Sequence, residues 1–67
     1  MTTEEEAVMG AADALGQAER DVAQEFLRLV AIGTNSFQAQ KMAEVAVGHA
    51  VYRRRADYEI AVARLRR

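Results

Sequence analysis

The helical pattern of this 67-residue chain is interrupted at one segment, IGTNS, from Ile32 to Ser36. Gly33 suits the left-handed position just after a helix, and Asn35 or Ser36 can cap the start of a new helix. Because the sequence has no Pro, no other strong breaker divides the flanking segments. The sequence therefore predicts an all-α fold, with a helix at about 4–32, a turn at 33–36 and a helix at about 37–65.

So short a connection directs the second helix back along the first, which predicts an antiparallel two-helix hairpin, one domain over residues 1–67. Thr3, followed three residues later by Glu6, predicts a capping box at the start of the first helix. One apolar stripe follows at three- and four-residue steps. It consists of Val8, Ala11, Ala12, Leu15, Ala18, Val22, Phe26, Leu29 and Val30.

The second helix has two apolar faces, and one hairpin partner can cover only one of them. The first face consists of Val47, Val51, Tyr58, Val62 and Leu65. The second face consists of Met42, Val45, His49, Tyr52, Ala56, Ile60 and Ala63.

Side-chain volume indicates which face packs inward. A turn near residue 34 places Tyr58 opposite Ala11 and places Phe26 opposite Ala43, so that large side chains meet small ones. This register turns the first face inward and leaves the second for contact with another molecule. The predicted partner-binding residues are Met42, Val45, His49, Tyr52, Ala56 and Ile60. Alanines on both helices would also permit the reverse orientation.

The size of the chain indicates that it assembles. Small domains usually need disulfides, a metal or oligomerisation, and this chain has no Cys and a single His. We therefore expect a homo-oligomer that uses the second helix in a coiled-coil-like four-helix bundle, a ring or a filament. The expected function is a protein-interaction module: an adaptor, a small regulator or a structural subunit that contacts a further protein.

Three adjacent arginines, Arg53, Arg54 and Arg55, raise the alternative of a nucleic-acid-binding regulator. A structural role is favoured, because Asp57 and Glu59 stand four residues after Arg53 and Arg55, where helical ion pairs form. Arg54 lies near the inward face, where Glu19 of the first helix could meet it. Three consecutive helical positions also spread over about 200°, so the arginines do not form one stripe that could bind phosphates. The sequence pI of about 5.7 weakens the attraction of the chain for a phosphate backbone.

The two halves of the chain differ in charge. Residues 1–32 hold seven acidic and two basic side chains, whereas residues 33–67 hold three acidic and seven basic ones. Arg64, Arg66 and Arg67 complement the dipole at the end of the second helix, and a hairpin brings them beside the acidic start of the first. The same charges could join successive subunits.

Enzymatic chemistry is not predicted. His49 is the one side chain suited to proton transfer near neutral pH, and no nucleophile, phosphate loop or second metal ligand accompanies it at a useful spacing. We expect no catalytic residue, cofactor or metal. Since the apolar runs fall short of about 18 residues and the start MTTEEEA is acidic, we expect a cytoplasmic protein without a membrane span.

The segment RADYEIAVARLRR, Arg55 to Arg67, resembles the helical ends of outer-membrane efflux duct proteins, which are also built from long antiparallel helices. The resemblance covers about a fifth of the chain. It implies helix for this segment, and no functional residue is carried over.

Overall fold

A computed structural model describes residues 2–67 and shows two helices that pack against each other along their length. Helix α1 spans Thr3–Ala31 and helix α2 spans Ser36–Leu65. The predicted all-helical fold of two packed helices is confirmed. Ser36, which was predicted in the turn, is the first residue of α2.

Helix α1 begins one residue earlier than the predicted capping box requires. The Thr2 hydroxyl accepts a hydrogen bond from the backbone N–H of Glu5 at 3.2 Å, and a Glu5 carboxylate oxygen accepts one from the Thr2 N–H at 3.4 Å. The capping box therefore joins Thr2 and Glu5 rather than Thr3 and Glu6. TTEE offers two hydroxyls in succession, and the spacing rule fits either of them.

The turn satisfies the backbone groups that both helix ends leave open. Gly33 has a φ of 99°, where a side chain would be strained. Its N–H donates to Val30 O and the Thr34 N–H donates to Leu29 O, which is a Schellman motif. The Asn35 side chain then accepts from the Gln38 N–H at 2.9 Å and caps α2.

Four of the five buried apolar side chains of residues 2–67 are alanines, and we call this set the closed edge. It consists of Ala18, Ala39, Ala43 and Ala61. These side chains are buried, and Ala39 and Ala43 have no exposed surface. Alanine side chains allow two helix backbones to come close, so this edge is sealed by the hairpin itself.

The large apolar side chains lie on the other side of the helix contact and are only half covered. They are Val8, Leu15, Val22, Phe26, Val47, Val51, Tyr58 and Val62. At about 100° per residue, Val51, Tyr58 and Val62 are rotated around α2 from the alanines of the closed edge. Within residues 2–67, Leu29 is the one large side chain that is buried, and no large side chain is fully enclosed.

Three residues of the predicted inward stripes are more exposed than the sequence suggested. Ala12 is exposed, and Val30 and Leu65 keep 41% and 44% of their surface. Ala12 and Val30 lie about 100° around α1 from the buried Leu29, so they fall outside the contact with α2. Leu65 is the last residue of α2, where little of α1 remains to cover it.

The hairpin is an elongated rod measuring 48 × 16 × 12 Å, with a radius of gyration of 15.0 Å. A compact chain of this length would have a radius of gyration of about 11 Å. Neither helix within residues 2–67 contains an apolar stretch long enough for a membrane crossing.

Candidate protein interface

A groove opens between the two helices beside the closed edge. Its volume is about 320 Å³, and it is lined by Glu19, Val22, Glu44, Gly48, Val51, Tyr52 and Arg55. Gly48 is buried although it has no side chain, so the groove reaches down to the α2 backbone at that point. Valines form the apolar floor, while charged groups and a tyrosine form its rim.

A second hollow of about 220 Å³ continues the groove toward the turn. It is lined by Glu19, Val22, Ala23, Phe26, Gln40 and Ala43. Because Glu19 and Val22 belong to both hollows, the two form one channel along the open side of the hairpin. We use "the groove" for this whole channel.

The charged groups of the groove differ in their contacts. The Gln40 amide donates to Glu44 at 3.3 Å. Within residues 2–67, the ion pairs join Arg28 to Glu25 and Arg54 to Asp57, so they use neither Glu44 nor Arg55. The groove therefore presents carboxylates and a guanidinium beside apolar surface, an arrangement that suits a protein surface of matching charge.

The predicted partner-binding residues lie on the side of α2 that faces away from α1, and we call them the outer stripe. They are Met42, Val45, His49, Tyr52, Ala56 and Ile60. All six are exposed, with Val45 and Tyr52 each at 75%. Tyr52 belongs to both the outer stripe and the groove rim, which makes it the link between the two surfaces. Partner binding by these residues stays a prediction.

The arginine triplet makes a different ion pair from those predicted. Arg54 contacts Asp57 at 3.6 Å, three residues on, whereas the expected pairs of Arg53 and Arg55 are absent from residues 2–67. The expected approach of Arg54 to Glu19 is absent there as well. All three arginines are exposed, on different sides of α2.

The closest ion pair lies on α1. Arg28 donates to both carboxylate oxygens of Glu25, with Nε at 3.1 Å from Oε2. These hydrogen bonds, reinforced by the positive charge, hold the pKa of Glu25 below its usual value and raise the pKa of Arg28. The pair is solvent-accessible and fixes local geometry on the α1 surface.

Lys41 lies near the start of α2 with its ammonium 5.0 Å from the centre of the Phe37 ring, a cation–π contact. Phe37 keeps 71% of its surface exposed, so this contact leaves most of the ring open. At the other end of the rod, the terminal arginines and Glu4 to Glu6 form no ion pair within residues 2–67.

Across residues 2–67, no three His, Cys, Asp or Glu side chains are grouped to hold a metal ion. The sequence patterns did not predict the groove. The signal available was the segregation of alanines and large side chains to opposite edges of the same helix face.

Comparison with protein-family models, with curated proteins and with solved structures gives no match.

Proposed function

We propose that this protein is a non-enzymatic interaction module: a helical hairpin that self-associates into a four-helix bundle or a larger helical assembly. In this role it serves as a small adaptor, regulator or structural subunit. The observation that carries the proposal is that the large apolar side chains between α1 and α2 are half exposed, along a groove that the hairpin does not close.

The exposed area of the chain supports the proposal that a further layer of protein covers the hairpin. The chain exposes 5111 Å², whereas a compact monomer of 7.4 kDa exposes about 4,200 Å². Half-exposed valines and aromatic rings contribute only part of the stabilisation that full burial gives. A protein layer on the groove would supply the rest.

The outer stripe supports a further contact, because its exposed apolar side chains lie where α1 cannot reach them. Met42 and Ile60 keep about half of their surface, and Val45 keeps more. In a four-helix assembly, this stripe flanks the groove and extends the surface that another copy or another protein can cover. Such a module needs neither a cofactor nor a metal.

Mass measured by light scattering over a range of protein and salt concentrations, with helicity followed by circular dichroism, tests self-association. We expect a helical dimer or larger species, and a double variant Val45→Asp with Tyr52→Asp that is a poorly helical monomer. Ala7→Asp with Gln24→Asp adds the same charge at exposed positions of α1 and is the control. A wild-type chain that stays a helical monomer at every concentration contradicts the proposal.

A nucleic-acid-binding role is the competing function, and the exposure of the arginine triplet is the observation in its favour. It requires salt-sensitive binding of DNA or RNA that is abolished by changing Arg53, Arg54 and Arg55 to Glu while the assembly mass is retained. The interaction-module proposal expects no such binding.

A further inference from the structure

The groove has one open side, and the residues along it indicate what closes it. We propose that a second copy of the chain closes it, with the two α2 helices packed antiparallel about a two-fold axis near residue 50. This inference rests on the self-association proposed above and adds its face, its orientation and its register.

The area available fits one second copy. The chain exposes about 900 Å² more than a compact monomer of its mass. A stable protein interface of standard size buries about 800 Å² on each partner. The excess is therefore about the area that one more hairpin would bury in an interface of standard size, without a larger partner.

Residues on the groove side of α2 form a pattern that is complementary to itself when reversed. Four of them line the groove, Glu44, Gly48, Tyr52 and Arg55, and four continue the same side of the helix beyond it, Phe37, Lys41, Glu59 and Val62. In a two-fold contact, residue i of one copy meets residue j of the other, and j also meets i. When the numbers of paired residues sum to 99 or 100, every position in the row has a suitable counterpart.

The charges pair with opposite sign in this register. Glu44 meets Arg55 of the second copy, and Lys41 meets Glu59 of the second copy. Glu44 cannot reach Arg55 of its own chain, because eleven residues of helix separate them by about 16 Å. Both side chains line the same groove, so the second copy supplies the opposite charges that complete it.

Large and small residues also lie opposite each other across this contact. Tyr52 is 75% exposed on the rim and lies opposite Gly48 of the second copy, where the groove reaches the backbone. Each ring therefore enters the deepest part of the other groove. Phe37 meets Val62 at both ends of the row, so the apolar contacts flank the charged ones.

Helix α1 is compatible with the same axis. Its residues at the level of Gly48 and Tyr52 are near Glu19 and Val22, which line the groove with them. An axis there places Gly16 opposite Ala23 of the second copy, so small side chains let the α1 helices approach. The two Glu19 side chains come near each other, with Arg55 in the same groove as a counter-charge.

The other two-fold arrangement, with the axis along the rod, does not give this complementarity. It stacks α2 on α1 of the second copy, whose groove side carries Ala12, Ala23 and Phe26 and, as charges, the two carboxylates Glu5 and Glu19. Lys41 and Glu59 would then be covered by apolar surface without opposite charges, which is costly. Charge therefore selects the antiparallel arrangement.

A charge-swap experiment tests the register. Glu44→Arg alone places two arginines opposite each other, and Arg55→Glu alone places two glutamates opposite each other. We expect each single variant to raise the dissociation constant of the assembly by about tenfold or more. An equimolar mixture of the two variants should restore wild-type affinity and helicity, because both contacts of a mixed dimer again join an arginine to a glutamate.

The matched control is Arg53→Glu, which makes the same charge change on the other side of α2. It should leave assembly unchanged, and mixing it with Glu44→Arg should restore only one of the two contacts, no more than mixing Glu44→Arg with the wild-type chain does. A wild-type dimer whose affinity neither single variant weakens, or whose variants are not rescued by mixing, overturns this interface while self-association stands. A wild-type chain that is monomeric throughout overturns both.

Discussion

The closed edge and the groove flank the same helix contact, and they differ in what the hairpin completes by itself. At the closed edge, Ala39 and Ala43 are entirely covered by the neighbouring helix. Along the groove, Val22 and Val51 touch a hollow on one side and protein on the other. The hairpin thus buries its small side chains and leaves its large apolar side chains partly exposed.

This difference is a consequence of helix separation. Two helices come together as closely as the smallest side chains between them allow, so alanines set the distance at one edge. Larger side chains beside that line are pushed outward and cannot interlock fully. A second layer of protein can bury these larger side chains without disturbing the alanine contact. The groove therefore stays available for binding after the closed edge has formed.

A larger side chain in place of one alanine tests how tightly the closed edge is packed. We expect Ala43→Leu to destabilise the fold by about 1–3 kcal/mol, because a larger side chain forces the helices apart. Ala50→Leu makes the same change at an exposed position of α2 and should stay within about 0.5 kcal/mol. Urea unfolding monitored by circular dichroism measures both. Equal stability of the two variants would show that the closed edge is loosely packed.

Two glycine substitutions, one outside the groove and one within it, test whether the groove is the contact surface. A Cβ at Gly10 meets nothing within 4 Å, so Gly10→Ala should stabilise α1 by up to about 1 kcal/mol and leave assembly unchanged. A Cβ at Gly48 meets only Glu44 Cβ, at 3.7 Å, an ordinary contact, so the isolated hairpin has room for an added methyl group there.

In the proposed assembly, however, Gly48→Leu fills the space that Tyr52 of the second copy occupies. We expect this variant to lose assembly at concentrations where the wild-type chain and Gly10→Ala assemble, measured by sedimentation velocity over a concentration series. If Gly48→Leu assembles as tightly as Gly10→Ala, the groove is not the contact surface.

The sequence predicts the helices and the turn well, because they depend on local chemistry. The Gly33 conformation follows from local chemistry alone, and the same chemistry limits the α2 cap to Asn35 or Ser36, of which the structure uses Asn35. The capping residue at the start of α1 is not decided by the same local rule, since Thr2 and Thr3 both satisfy it.

The groove depends instead on the rotation of α1 against α2, which no local pattern determines. The inward stripe of α2 can be read from periodicity, but a rotation of a few tens of degrees decides whether Val51 or Ala43 is the residue sealed. The ion pairs within one helix are not determined by the local pattern either: Arg54 rather than Arg53 contacts Asp57. Alternative partners at three- and four-residue spacing differ by only a few tenths of a kcal/mol.

The smallest expected effect concerns charge near the helix contact. Arg28 lowers the pKa of Glu25, so the pair stabilises the fold above the unfolded-state pKa of Glu25, and this contribution is lost as the pH falls through the lower folded-state value. Glu25→Gln should therefore reduce the melting temperature slightly at neutral pH and not at acidic pH. Asp13→Asn, an exposed carboxylate outside the ion pairs of residues 2–67, is the control for net charge.

Thermal unfolding of the three proteins over a pH series separates this local pair from packing. Because both side chains are solvent-accessible, the loss at neutral pH should be much smaller than that of Ala43→Leu. A Glu25→Gln loss as large as that of Ala43→Leu would show that charge, rather than the alanine contact, holds the two helices together. A small loss that disappears in acid means that the sealed edge depends on packing, and that the charges which matter are those of the groove.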